Sequence, residues 1–153
     1  ANFDLLLSHF KSYAYLLHDY ANGIDNFGAF YHEVKRVCPN VGVCGDMGNS
    51  LFVGVEPEVF FRTFAKEIKH VHVKDYLRKK SPVQPGRYWL PAENGKNQMW
   101  LRDVLTGDGT VNLSGCMDVL RTVGYDGVYA LELCHPEPYD EGVRQSIRVM
   151  EHL

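Results

Sequence analysis

Two β-branched runs frame a helical stretch in the middle of the chain: Val41-Gly42-Val43-Cys44-Gly45-Asp46 and Ile68-Lys69-His70-Val71-His72-Val73-Lys74-Asp75. Between them, residues 56–68 carry apolar side chains at helical spacing, and Pro57 suits the first turn of a helix. The predicted apolar stripe of this helix consists of Val59, Phe60, Thr63 and Phe64. A strand, a helix and a strand in this order predict a βαβ unit with two parallel strands.

The same alternation extends in both directions from this unit, and it predicts four βα units in a single domain over residues 1–153. Further strands are predicted at residues 13–19 and 128–133, and further helices at 25–37, 113–123 and 140–153. Residues 75–112 interrupt the alternation, because they are polar and contain three prolines and four glycines. We predict a long loop there, of a length typical of a lid. The predicted fold class is therefore α/β, with parallel strands.

The overall charge and the cysteines limit the classes of protein to which this chain can belong. Of 153 residues, 45% are hydrophobic, and 16 Lys and Arg against 19 Asp and Glu give a formal net charge of -3. This balance predicts a folded domain that does not bind nucleic acid, because it lacks a basic surface for phosphate backbones. No apolar run approaches the roughly 20 residues that span a bilayer, so we expect no membrane segment. The cysteines form no C-x-x-C pair, which favours reduced thiols in a cytoplasmic protein; they are Cys38, Cys44, Cys116 and Cys134.

Polar side chains stand at the predicted carboxyl end of every strand. They are His18 or Asp19 on the first strand, Asp46 on the second, His72 with Lys74 on the third, and Glu132 on the fourth. Because ligands bind at this edge of parallel α/β sheets, we expect these side chains to converge. Carboxylates and imidazole together suit divalent ions such as Mn²⁺, Co²⁺, Mg²⁺ or Zn²⁺. A single aspartate or histidine is more often a cap or a loop anchor, so the coincidence of four strand ends is what favours a metal site.

Four short motifs give the chain a family resemblance. They are residues 41–49 (VGVCGDMGN), 68–75 (IKHVHVKD), 107–112 (GDGTVN) and 124–132 (GYDGVYALE). In this order and at these intervals, from Tyr13 onward, they resemble the xylose isomerase-like TIM-barrel superfamily of sugar phosphate isomerases and epimerases. The resemblance implies the fifth to eighth βα units of a (β/α)8 barrel. Since a closed barrel takes about 250 residues, we expect either the C-terminal half of a longer barrel or a protomer that pairs with a second copy.

The resemblance also implies the ligands of a divalent metal ion. Asp46, His72 and Glu132 match three of the family's four ligand positions. The fourth position holds glutamate in the family, whereas His18 or Asp19 occupies it here. We predict His18 as the fourth ligand, since imidazole binds the same ions.

The same resemblance implies the chemistry of the site. Family members move a proton between carbons next to a carbonyl group, and Glu132 and His18 correspond to the two groups that carry the proton. Lys74 then faces the substrate's oxygen atoms or a phosphate, and Asn49 contacts the substrate from a position where relatives have histidine. The predicted activity is a metal-dependent isomerase or epimerase of a small sugar, sugar phosphate or related polyol.

Other functions stay open on the sequence. A lyase of the inosose dehydratase type uses the same constellation to remove water after the same proton abstraction. A non-catalytic carbohydrate-binding module is favoured by the departures from the family at positions 18 and 49. DNA repair of the endonuclease IV type shares the fold, but the net charge of -3 disfavours it.

Overall fold

The computed structural model describes residues 16–18, 23–92, 98–133 and 139–153, with the backbone alone for the first of these ranges. The strands in chain order are β1 (Leu16–His18), β2 (Gly42–Asp46), β3 (Ile68–Val73), β4 (Asp75–Lys80), β5 (Leu90–Pro91), β6 (Met99–Val104) and β7 (Val128–Leu131). The helices are α1 (Gly23–Val37), α2 (Pro57–Phe64), α3 (Leu113–Thr122) and α4 (Tyr139–Met150), and a short 3-10 helix spans Asn49–Val53. None of these described helices is long and apolar enough to cross a membrane.

The first sheet is parallel and has the strand order β1-β2-β3-β7, which confirms the predicted α/β class and part of a barrel. One face of this sheet is apolar, and its Val43, Val71 and Val73 are fully buried beneath the helices. The opposite face carries His70 and Val128 side by side, and Val128 is 61% exposed. The two faces differ because successive side chains of a strand point to opposite sides. The hydrophobic core therefore lies between the sheet and the helices.

Helix α2 buries Phe60 and Phe64 as predicted, but it also buries Phe61 and leaves Val59 and Thr63 exposed. Phe60, Phe61 and Phe64 are buried, whereas Val59 is 47% exposed and Thr63 lies on the surface. The prediction for Val59 and Thr63 was wrong because three phenylalanines offer more apolar area, and the gain in burial follows area. The helix also ends at Phe64 and not at residue 68, since the chain turns there to enter β3.

Residues 75–112 are not the long loop that the sequence predicted. Strands β4 and β6 pair antiparallel, from Asp75 with Val104 to Lys80 with Met99, and β5 adds to the other side of β6. The result is a second sheet of three strands, with the order β4-β6-β5. We call these three strands the arm. The lid function predicted for this segment stays a prediction.

The arm escaped the sequence analysis because an antiparallel sheet needs only one apolar face. Its buried apolar side chains are few: Tyr76, Leu101 and Val104. Tyr76 and Leu101 pack with Ala92, which follows β5, against Leu51 of the 3-10 helix. The run of basic side chains at residues 78–80 gives β4 a polar composition that is typical of a loop. Pairing with β6, which lies far along the chain, forms this strand in spite of its composition.

A buried carboxylate joins the arm to the loop that follows it. Asp75 is 2% exposed, and its Oδ2 accepts hydrogen bonds from the backbone amides of Gly107 (3.0 Å) and Gly109 (2.9 Å). Its Oδ1 accepts from the amides of Tyr76 (2.8 Å) and Val111 (3.1 Å). A Cβ atom on residue 109 would overlap Oδ1, so only glycine fits there. The sequence motifs at residues 68–75 and 107–112 therefore meet in one buried contact.

The described cysteines form no disulfide bond with one another. Cys38, Cys44 and Cys116 are buried thiols, and Cys134 lies outside the described residues. Burial, with a smaller contribution from Glu58, raises the pKa of Cys116 to about 12. This disfavours the thiolate, which is the reactive form, and Cys116 packs as a small apolar side chain.

Candidate metal centre

Three of the predicted site residues lie at adjacent strand ends. Asp46 is the last residue of β2, and it pairs in register with His72 of β3. His72 pairs in turn with Ala130 of β7, two residues before Glu132. The backbone amide of Glu132 donates to the carbonyl oxygen of Val73 at 3.1 Å, which continues the β3–β7 pairing beyond the end of β7. The three side chains therefore project from the same edge of the sheet.

The distances between these side chains fit a shared metal ion. His72 Nδ1 lies 3.1 Å from Glu132 Oε2 and 3.6 Å from Asp46 Oδ2. One ligand atom from each residue can be chosen so that all three lie within 4.8 Å of one another. Ligand atoms about 2.1 Å from a common ion lie about 3.0 Å apart at right angles and about 3.4 Å apart in a tetrahedron. The two distances from His72 Nδ1 to the carboxylates are therefore close to those between ligands of one ion.

The backbone after β2 holds the Asp46 carboxylate in place. Asp46 is 0% exposed, and its Oδ1 accepts hydrogen bonds from the amides of Gly48 (2.8 Å) and Asn49 (2.6 Å). This leaves Oδ2 as the oxygen on the His72 side. A Cβ atom on residue 48 would lie 2.7 Å from the Tyr76 ring, so glycine is required for the arm to pack here. The D-x-G part of the motif therefore orients the ligand and admits the arm.

Glu132 divides its two oxygens between two neighbours. Its Oε1 accepts a hydrogen bond from Lys74 Nζ at 3.0 Å. Its Oε2 is buried, lies on the His72 side, and receives no hydrogen bond within the described residues. A buried carboxylate oxygen without a hydrogen-bond donor is costly, and a cation beside it removes that cost. Two carboxylates and one imidazole form the oxygen and nitrogen donor set that hard to borderline divalent ions prefer, so the residues fit such an ion.

Lys74 is buried between two carboxylates. It is 5% exposed, and its Nζ lies 3.0 Å from Glu132 Oε1 and 3.7 Å from Asp103 Oδ2. The ring of Tyr76 lies beside it, with 5.9 Å from Nζ to the ring centroid. Sequence analysis missed Asp103. A buried lysine needs an anionic partner. The predicted inward position of Lys74 was therefore the signal that an acidic residue, here Asp103, had to lie nearby.

The remaining predicted residues stand around this cluster. Asn49 is buried, and its Oδ1 accepts a hydrogen bond from the Tyr76 hydroxyl at 2.9 Å. His18 ends β1 and pairs in register with Cys44, which lies two residues before Asp46 on β2. The side chain of His18, like Asp19, lies outside the described part of the structure. The roles of His18 and Asn49 therefore stay predictions.

One further histidine of β3 lies beside the cluster. The rings of His70 and His72 meet edge to face, with centroids 5.3 Å apart. Desolvation, and then the neighbouring His72, lower the pKa of His70, which favours its neutral form. A neutral His70 adds no positive charge that would repel a cation held by the cluster.

The chain belongs to the xylose isomerase-like TIM barrel family, whose model matches residues 18–153. The inosose dehydratase of Lacticaseibacillus casei is 25% identical to it over 92 residues, which are 60% of this chain and 30% of that protein. The parallel sheet and its helices thus represent part of a TIM barrel.

Solved structures of the same fold agree with this assignment. The xylose isomerase domain protein of Planctomyces limnophilus superposes with a TM-score of 0.75 at 22% identity, over 98% of this chain and 49% of that one. A xylose isomerase-like TIM barrel protein from Mycobacterium smegmatis, solved in complex with magnesium, gives 0.65 at 16% identity, with coverages of 90% and 42%. The 3-keto-D-glucoside 4-epimerase of E. coli gives 0.62 at 14% identity, with coverages of 99% and 50%. The chain therefore spans about half the length of these structures.

Proposed function

We propose that this chain carries the metal centre of an enzyme that moves a proton next to a carbonyl group of a small sugar, sugar phosphate or polyol. The observation that supports this most directly is the cluster of Asp46, His72 and Glu132 at one edge of the parallel sheet. The magnesium complex of the Mycobacterium smegmatis protein supports a divalent ion, and Mn²⁺, Co²⁺, Mg²⁺ and Zn²⁺ all suit the donor set.

The chain's own residues account for the proton transfer. A divalent ion bound by the cluster supplies positive charge beside the substrate's carbonyl oxygen. Glu132 takes the proton from the neighbouring carbon, since its side chain is the most exposed of the three ligand candidates, at 39% against 29% for His72 and 0% for Asp46. Lys74 fixes that carboxylate through Oε1 and presents positive charge to the substrate's oxygens. His18 returns a proton from the other side of the substrate, in the position that glutamate holds in the family.

A lyase reaction is the second candidate. The inosose dehydratase of Lacticaseibacillus casei favours it, because a dehydratase begins with the same proton abstraction and then expels a hydroxyl group. The epimerase of E. coli favours the first candidate, in which the proton returns to carbon. A carbohydrate-binding module without catalysis is the outcome expected if the site takes a sugar and exchanges no proton.

Solvent deuterium exchange tests the proposal. The Mn²⁺-loaded protein, alone and with an N-terminal half-barrel of the family added in trans, is incubated in D₂O with ketoses and inososes, and the substrate is analysed by proton NMR. We expect deuterium at the carbon next to the carbonyl, and loss of water in addition if the protein is a dehydratase. The Glu132→Gln variant is expected to lose the exchange by at least about a hundredfold. Binding of a sugar without any exchange would contradict the proposed enzymatic activity and favour a carbohydrate-binding module.

We also propose that an N-terminal half-barrel of the same family closes the sheet of this chain. Within the described residues, β1 pairs only with β2 and β7 pairs only with β3, so both edges present unpaired backbone groups. Val128 on the inner face is also exposed. Proteins cover or pair such edges, and this chain covers 49% of the length of the Planctomyces limnophilus structure, so a half-barrel of similar size is the partner that we propose.

Light scattering tests this closure. We expect the chain alone to associate or to bind a hydrophobic dye, and an N-terminal half-barrel added in trans to give a one-to-one complex with no dye binding. A stable dimer that ignores the added half would indicate closure by a second copy. A monomer that unfolds cooperatively and binds no dye would contradict both forms of closure.

A further inference from the structure

We propose that Asp103, delivered by the arm, is a positioning residue of the metal centre, which acts through Lys74 on Glu132. This inference rests on the proposed metal-dependent function. It makes the arm a fixed wall of the site, and it adds a residue from outside the parallel sheet.

The first step is the position of Asp103. Strand β6 pairs antiparallel with β4, and the register places Asp103 directly opposite Tyr76. Opposite residues of an antiparallel pair point to the same side, and Tyr76 is buried toward the 3-10 helix that follows β2. Asp103 therefore points toward the same region, where its Oδ2 is buried 3.7 Å from Lys74 Nζ.

The second step is the balance of charge around Lys74. The ammonium group is buried, and Glu132 at 3.0 Å is its nearer carboxylate. If Glu132 were its sole counter-charge, the ammonium of Lys74 would neutralise much of the negative charge of the carboxylate. Glu132 would then bind a metal ion more weakly. Asp103 supplies a second counter-charge, so Glu132 keeps one oxygen on Lys74 and its other oxygen, with its charge, for the ion.

The third step is the anchoring of the arm. The Asp75 carboxylate binds four backbone amides at the start of β4 and in the loop after β6, so both strands of the pair are held at the end where Asp103 lies. The Tyr76 hydroxyl donates a hydrogen bond to Oδ1 of Asn49. The backbone amide of Asn49 in turn donates to Oδ1 of Asp46. The arm thus contacts the supports of both carboxylates of the cluster.

Titration of the full chain with Mn²⁺, followed by the electron paramagnetic resonance of the free ion, tests the proposal. We expect Asp103→Asn to weaken Mn²⁺ binding by about tenfold, the order that Coulomb's law gives for one charge in a partly buried site. Asp108→Asn is the matched control, because Asp108 is an exposed carboxylate that follows the same strand, and its binding should equal that of the wild type. Thermal unfolding of the metal-free variants separates this effect from a loss of structure, and Asp103→Ser replaces Asp103→Asn if the latter does not fold.

A double-mutant cycle with Lys74→Met tests the route through Lys74. We expect Asp103→Asn to weaken Mn²⁺ binding by only about threefold in the Lys74→Met background, since only its direct field on the ion then remains. An equal effect in both backgrounds would overturn the positioning role. If the wild type binds Mn²⁺ and the Asp103 variants bind it equally well, this inference fails while the metal centre stands. If the wild type binds no Mn²⁺, the metal centre and this inference fail together.

Discussion

Replacing His72 with alanine is expected to abolish the stabilisation of the chain by Mn²⁺. His72 Nδ1 lies within 3.6 Å of both carboxylates of the cluster. Its removal therefore leaves two carboxylates without the nitrogen ligand that lies next to each of them. For the wild type, Mn²⁺ at about a hundred times its dissociation constant contributes about 2.7 kcal/mol to the free energy of unfolding. That amount raises Tm by about 5 to 10 °C in a domain of this size.

Differential scanning calorimetry with and without Mn²⁺ measures this effect. His32→Ala is the matched control, since His32 is an exposed histidine of α1 away from the sheet, and its Tm should rise with Mn²⁺ as that of the wild type does. Asp46→Ala is expected to behave as His72→Ala does. A metal-dependent rise in Tm that survives both substitutions would show that Mn²⁺ binds elsewhere and would remove this ligand assignment.

Replacing Asp75 with asparagine is expected to lower the free energy of unfolding by about 4 kcal/mol. Both carboxylate oxygens accept hydrogen bonds from backbone amides, two each. Either orientation of an asparagine amide places its NH₂ group against two of these donors, so buried donors lose their acceptor. The loss is a large fraction of the 5 to 15 kcal/mol that typically stabilise a domain.

Urea unfolding followed by circular dichroism measures the change. Asp118→Asn is the control, because Asp118 is an exposed carboxylate of α3 that pairs with Arg121, and surface pairs of this kind contribute about 0.5 kcal/mol. A difference below about 1 kcal/mol between Asp75→Asn and wild type would contradict the anchoring role of Asp75. It would also weaken the argument that the arm is fixed.

Much of the parallel sheet could be predicted from the sequence, because each βα unit is encoded over a short stretch. Apolar periodicity of two in β2 and β3 and of 3.6 in the helices reports which side of each element is buried. The position of Asp46, His72 and Glu132 followed from the same reasoning, since parallel strands bring their carboxyl ends to one edge. Their assignment as ligands remains a prediction for the Mn²⁺ experiments.

Local pattern was a poor guide wherever a partner lay far along the chain. Helix α2 buries Phe60, Phe61 and Phe64, and Phe60 and Phe64 pack against Phe27 of α1, a contact with another helix that the local pattern does not report. Strand β4 has a polar composition and exists because β6 pairs with it. No periodicity within residues 75–80 reports a partner strand that begins at residue 99.

The sequence alone was sufficient for the alternation of strands and helices, the family resemblance and three convergent metal-ligand candidates, because each depends on residue type and short spacing. The arm, the four amides around Asp75 and the ion pair between Lys74 and Asp103 became visible only in the folded chain. These contacts depend on the register between distant segments and on burial, which raises the strength of a charge interaction by excluding water. The interaction between Lys74 and Asp103 is weak in the unfolded chain, where water surrounds both groups. It becomes strong only when the fold buries the two groups beside each other.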